Sequence, residues 1–431
     1  MMKSTKRYDE ANLHIAFYNS KGVIYDAPSN TLYRVSEETA KKLLEMQQGS
    51  YDHFATQIDS LFVKRETTTL HHSCWWNEKR ITKLTFNITS RCNLRCKYCY
   101  ANYGEYSGYE THDLQPPEAI TCISELIKMG VNHIGTVQFF GGEPLLGIQT
   151  ISAICCYFQD LYIAKQLDCV PTYTMITNCV ALSNYAIDVI KKYNIKLTVS
   201  LDGPPHIHNA QRVFENGVGS YDCVSANLKK IRSQVLALEA TYTNNHVLNN
   251  MSYEDLEHFF LDTFGITKEK ISIVPVTGMP SLEVAPSKLH TMSNGYELTS
   301  DDTYLMAAIN KEMQSDLFCT TGYRSLCIMP NGDIYPCHMY ASERKYCLGN
   351  IYNGLDPTVM SAQLKRLPLG DKNNQNCAMC WARKICHICP AKTVISDQKE
   401  EDIVNPASCG RRRKMFERKL LQLVYSGEHH E

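Results

Sequence analysis

The sequence predicts an α/β fold: six β/α units forming a parallel sheet, a partial (β/α)6 barrel of TIM type, between a small N-terminal β-meander with a helix and a cysteine-rich C-terminal region. Three observations predict it. Short apolar runs alternate with amphipathic helical patterns from about residue 81 to 276. Turn residues punctuate three brief strand-like runs before residue 37. Cysteines crowd residues 319–409, where little regular periodicity is left.

Taken in order, residues 13–18, 22–26 and 31–35 read as strands joined by the Asn19-Ser20-Lys21 and Pro28-Ser29-Asn30 turns. Ser36 then caps an amphipathic helix running through Leu44. The sheet strands are expected at 81–87, 135–140, 173–177, 196–202, 237–243 and 270–275. Helical patterns fall between them at 117–129, 150–165, 183–193, 221–233 and 252–264, with a later helix at 300–313. Unusual residues gather where these strands end: Cys92 to Cys99, Gly141 to Pro144, Thr177-Asn178, Ser200 to Gly203 and Thr241 to Thr243. In barrel-type sheets that rim holds the active site. The expected division is 1–78, 79–285 and 286–431.

The 44 basic and 45 acidic residues give no electrostatic reason to expect nucleic acid or a membrane surface as partner. No apolar run approaches the length that spans a bilayer. The charged, polar stretch from Met1 to Ala11 does not read as a secretion signal, so a cytoplasmic location is expected. There, 19 cysteines point to metal ligation rather than a disulfide scaffold, in a cell living with little oxygen.

Cys92, Cys96 and Cys99, spaced C-x3-C-x2-C, can hold three corners of a four-iron cluster. The next cysteine, Cys122, lies within a helical pattern, so one iron is left for a non-protein ligand. One strand later comes Gly141-Gly142-Glu143-Pro144. Its glycines would admit a ligand close to the backbone, and Glu143 would pair with an ammonium group. Together these motifs resemble the radical S-adenosylmethionine (SAM) enzymes, over residues 81–276 and beyond. The resemblance implies that SAM chelates the open iron and yields a 5′-deoxyadenosyl radical that abstracts a substrate hydrogen. It implies that Tyr98 borders the adenine and that Gly142 and Glu143 receive the methionine ammonium. It also implies SAM contacts at Ser200, Asp202 and Arg212. A capped strand-end turn is the alternative for Ser200 and Asp202, and a solvated surface arginine for Arg212.

The C-terminal cysteines resemble the SPASM extension of peptide-modifying radical SAM enzymes, which implies two auxiliary [4Fe–4S] clusters. By that match Cys319, Cys337 and Cys389 serve the first, and Cys377, Cys380, Cys386 and Cys409 the second. Cys386 and Cys389 are separated by two residues where the family has three. Cys327 either completes the first auxiliary site or is a small buried core residue. A zinc knuckle is the non-redox alternative for Cys377 and Cys380. The other cysteines (74, 122, 155, 156, 169, 179, 223 and 347) read as buried thiols, and His387 as an ordinary histidine.

Related sulfatase-maturating enzymes, which make formylglycine, carry a catalytic aspartate where this chain has His338. The resemblance to them otherwise includes His208, Arg212 and the run from Ala240 to Asn244. His338 could accept a proton, since histidine titrates near neutrality. The meander resembles peptide-recognition modules, in which a leader peptide adds as a strand. The resemblance thus implies a maturase that installs a cross-link, foremost a thioether, in a precursor peptide. An electron donor such as flavodoxin or ferredoxin would serve it. The alternatives are a formylglycine-generating enzyme and a non-enzymatic electron-transfer or zinc scaffold.

Overall fold

The computed structural model describes residues 13–48, 73–106, 112–284, 320–341, 343–367 and 406–425, with residues 305, 309, 377, 380–386, 389 and 391. Its strands are β1 (Leu13–Tyr18), β2 (Lys21–Asp26), β3 (Thr31–Ser36), β4 (Arg80–Asn87), β5 (His133–Phe140) and β6 (Thr172–Thr177). They continue with β7 (Lys196–Ser200), β8 (Val235–Tyr242), β9 (Ile271–Pro275), β10 (Ser325–Ile328), β11 (Asp333–Tyr335) and β12 (Gly349–Asn350). The larger sheet has the order β12-β11-β10-β4-β5-β6-β7-β8-β9. From β4 to β9 the neighbours are parallel and follow chain order, as the alternating pattern requires.

The helices include α1 (Glu37–Gln48), α2 (Pro116–Lys128), α3 (Ile148–Ile163), α4 (Asn184–Lys192), α5 (Pro205–Gln211), α6 (Tyr221–Lys230), α7 (Tyr253–Phe264) and α8 (Pro406–Tyr425), with further ones at Trp75–Glu78, Asn244–Leu248 and Pro357–Leu364. Their ends are set locally. Ser183 accepts from the Ala186 amide at 3.1 Å to open α4. Ser252 and Asp255 form a reciprocal capping box on α7, which Gly265 closes in the left-handed conformation. Ile123, Leu126, Ile151, Ile154 and Phe158 of α2 and α3 share one core with Leu84, Phe86, Val137 and Phe139 of the sheet.

Strand limits lie within about two residues of those expected, but β7 stops at Ser200. Leu201 still donates its amide to the Glu239 carbonyl of β8 at 3.0 Å, and Asp202 follows on the rim. The β10–β12 segment lies outside the six expected units, although Leu326-Cys327-Ile328-Met329 is strand-like in sequence. It turns at Asn331-Gly332, with Gly332 at φ +84, and β10 joins β4 in parallel, Cys327 opposite Thr85. Of the expected helix at 300–313, only Leu305 and Ile309 are among the described residues, both helical.

The small sheet, in the order β1-β2-β3, is covered on both faces. Leu13, Ile15 and Ile24 meet Ala40 and Leu43 of α1. Ala16, Val23 and Tyr25 meet Trp381, Ile385, and Phe416 and Leu420 of α8. Among the described residues, no helix is long and apolar enough to cross a membrane.

Candidate functional site

The ends of β4 to β8 bring five loops onto one rim. After β4 the chain forms the loop that carries Cys92, Cys96 and Cys99, all three half-buried. Each sulfur meets an N–H donor. Cys92 Sγ faces the Leu94 amide at 3.5 Å and Asn178 Nδ2 at 3.7 Å. Cys96 Sγ lies 3.9 Å from Arg212 Nη1, and Cys99 Sγ 3.2 Å from the Tyr103 amide. Burial pushes the Cys92 thiol up to about 12 and the Cys96 thiol to about 11, favouring the neutral form of each.

The Gly141–Glu143 turn follows β5 and lies against this loop. A side chain on Gly142 would stand 2.2 Å from the Arg91 carbonyl oxygen, and one on Gly141 2.6 Å from that of Thr89. The chain's own backbone thus approaches these glycines closely, which by itself requires that they carry no side chain. Glu143 is buried, and its carboxylate accepts from the Thr177 hydroxyl at 2.6 Å, the Asn178 amide at 2.7 Å and the Leu145 amide at 3.0 Å. Burial nevertheless raises its pKa to about 7, outweighing these donors.

Ser200 ends β7, and Asp202 is fully buried two residues on. Asp202 accepts from Arg212 Nε at 3.0 Å, Gln211 Nε2 at 3.2 Å, the Thr241 amide at 3.1 Å and the Tyr98 hydroxyl. Arg212 also lies over the Tyr98 ring at 5.2 Å. It is buried rather than solvated, and although burial opposes it, its ion pair lowers the pKa of the Asp202 carboxyl below its usual value. Asp202 thus spends its carboxylate on placing Tyr98 and Arg212 beside the cluster loop. Gln211 extends the network to Thr243, while His246 Nε2 meets the Asp202 carbonyl at 2.8 Å. His208, matched to the sulfatase-maturase lineage, meets Ser220 Oγ at 2.9 Å, and burial lowers its pKa to about 4.

Cys327 is fully buried on β10, and Cys337 is half-buried just beyond β11. Tyr100 and Tyr106, whose ring centroids are 6.4 Å apart, are buried, which raises the pKa of both, and Cys99 and Cys327 lie close enough to each to add to the rise. His338 packs against Phe140 at 4.3 Å, with Nδ1 sealed from water and without a partner among the described residues. Burial, with Lys83 nearby, pushes its pKa down to about 3, leaving a neutral and weakly basic imidazole. Burial raises the pKa of the Cys380 thiol, with Cys386 and Cys409 near enough to add to the rise, and the Cys380 amide donates to the Cys377 carbonyl at 3.1 Å. Cys389 is exposed. Cys319 and His387 lie outside the described residues. Of the thiols expected to be buried, Cys156 is exposed on α3, and Cys74, Cys169, Cys223 and Cys347 are only half-buried. Sequence reasoning left Thr177 and Asn178 without roles, although the rim pattern had marked them.

Residues 86–262 match the model of the Radical SAM superfamily, and residues 319–381 that of SPASM, an iron–sulfur cluster-binding domain. The radical SAM cyclopropyl synthase TigE of Paramaledivibacter caminithermalis is 27% identical over 42% of this chain and 38% of its own length. The subtilosin biosynthesis protein AlbA of Bacillus subtilis is 22% identical over 65% of this chain and 59% of its own length. Each match therefore spans less than two thirds of the relative. The AdoMet-bound structure of anSMEcpe shares the fold, with a TM-score of 0.62, 17% identity, and coverage of 81% of this chain and 100% of that one. The donor set fits such cofactors: three thiols on one loop, an N–H aimed at each sulfur, and a buried carboxylate one strand away. This chain carries a radical SAM domain followed by a SPASM domain, and its cofactors are SAM and [4Fe–4S] clusters.

Proposed function

We propose that this enzyme is a peptide maturase that installs an intramolecular cross-link, specifically a thioether, in a ribosomally made precursor peptide. Cys92, Cys96 and Cys99 would hold the SAM-binding cluster, and Glu143, with Gly141 and Gly142, would receive the methionine ammonium. Tyr98, Ser200, Asp202 and Arg212 would shape the remaining wall. The first auxiliary cluster falls to Cys319, Cys337 and Cys389 with Cys327, and the second to Cys377, Cys380, Cys386 and Cys409. When bound, these cofactors supply a hydrogen-abstracting 5′-deoxyadenosyl radical and an acceptor for the second electron. Forming the thioether removes one hydrogen from carbon and one from the cysteine sulfur, two electrons and two protons in all.

The observation that carries the peptide substrate is the small sheet. Both its faces are covered, so β1 and β3 offer only their edges, where a peptide can pair through its main chain. Such pairing would tether a long substrate to the enzyme and raise its local concentration. A small metabolite would need no such edge.

The test begins with anaerobic reconstitution of the enzyme, reductant and SAM. 5′-Deoxyadenosine should form, and a Cys92→Ala/Cys96→Ala/Cys99→Ala protein should form none. A short cysteine-rich precursor peptide, if one is encoded beside the gene, should then lose two hydrogens and keep its sulfur. Conversion of its cysteine to formylglycine would instead support the sulfatase-maturase reading. An unmodified peptide alongside active SAM cleavage would overturn the peptide substrate.

A further inference from the structure

Thr177-Asn178 ends β6 on the rim, and the proposed cofactor contacts leave Asn178 unused. Its side chain has one orientation. Oδ1 accepts from the Val180 amide at 3.0 Å, so Nδ2 must face the other way. There it meets Asn93 Oδ1 at 2.8 Å and Cys92 Sγ at 3.7 Å, one hydrogen for each acceptor. The backbone amide of the same residue donates to Glu143 Oε2 at 2.7 Å. A single buried residue therefore spans the carboxylate of one motif and a cysteine of the other.

We infer that Asn178 is a positioning residue that locks Glu143 and the Cys92 thiolate into one hydrogen-bonded frame, and that its side-chain amide sets how readily the cluster on Cys92 is reduced. The inference rests on Cys92, Cys96 and Cys99 being cluster ligands. A reduced cluster carries more negative charge on its sulfurs, and an N–H donor stabilises that charge, raising the reduction potential. The other donor to this sulfur is the Leu94 backbone amide, which no side-chain change removes. Arg212 is tied to Asp202, and Cys99 has a backbone donor. Among the described residues, Asn178 is thus the neutral side chain that donates to a sulfur of this cluster and through which it can be tuned.

The experiment is redox titration of the anaerobically reconstituted, full-length enzyme, followed by electron paramagnetic resonance. The signal that changes when SAM is added identifies the cluster. Asn178→Ala removes the donor, while Asn178→Asp also removes it but keeps the oxygen that accepts from Val180. Both should retain wild-type iron, and both should need a more negative potential, roughly tenfold in the reduction equilibrium or about 59 mV for one electron. An unshifted midpoint in both overturns the inference. If Asn178→Ala loses this cluster, the Asp variant decides alone, and an unshifted midpoint there overturns it equally. A Cys92→Ala control separates the two levels: if the SAM-sensitive signal survives in it, the ligand assignment itself has failed.

Discussion

Glu143 has almost no exposed surface, and three donors already hold its two oxygens. Its pKa is still raised to about 7 from a usual 4.5, because burial outweighs them. A carboxyl with a raised folded pKa binds more protons folded than unfolded between these two values. It therefore costs stability as pH climbs through that window and has no further effect above it. Binding runs the opposite way. If the methionine ammonium lands on Glu143, SAM affinity should rise by up to about tenfold per pH unit below 7 and level off above it. Equilibrium binding to the anaerobic enzyme between about pH 6 and pH 8 reads this directly. Glu143→Gln should bind weakly at every pH, with the slope gone. A flat profile in the unaltered enzyme would remove Glu143 from the ammonium contact.

At the scale of elements, the Gly141–Glu143 turn and the cluster loop act as one unit. The Gly142 amide donates to the Thr89 carbonyl and the Glu143 amide to that of Arg91, each at 2.9 Å. Because a Cβ on Gly142 would also stand 2.5 Å from the Arg91 carbonyl carbon, Gly142→Ala must push the cluster loop away. The expected result is loss of about four of about 12 irons, with the auxiliary sites kept, and no 5′-deoxyadenosine. Full iron content with normal SAM cleavage would show that the loop tolerates the shift. The two motifs were legible in sequence because each is a short local pattern. Alternating strands and helices were legible too, since their periods of two and 3.6 are written along the chain. Thr177 and Asn178 were not, because their hydrogen-bond partners come from other strand ends. Nor was the pairing of β10 with β4, which joins segments more than two hundred residues apart. The partner of Arg212 was equally hidden, as a buried ion pair leaves no trace in local spacing.

Across the whole molecule, the first and last described segments hold each other. His14 stacks on Trp381 at 3.7 Å with the rings nearly parallel, and its Nε2 meets Glu417 of α8 at 3.0 Å. Lys384 donates to the Pro28 carbonyl at 2.8 Å, and the Tyr425 hydroxyl to the Val35 carbonyl at 2.8 Å. Trp381 directly follows Cys380, and α8 carries Cys409, so the elements that present these cysteines also seat the small sheet. Trp381→Ala should empty that seat at a cost of about 3–5 kcal/mol. Hydrogen exchange of residues 13–36 should then speed up by roughly a hundredfold or more, while residues 133–140 of β5 keep their protection. Equal exchange in the two proteins would mean that α1 alone secures the sheet. If the predicted loosening occurs and the sheet binds the leader, Trp381→Ala should also raise the peptide KM and leave SAM cleavage without peptide unchanged. The radical site and the tether would then fail separately, as expected of a peptide held by one element and modified at another.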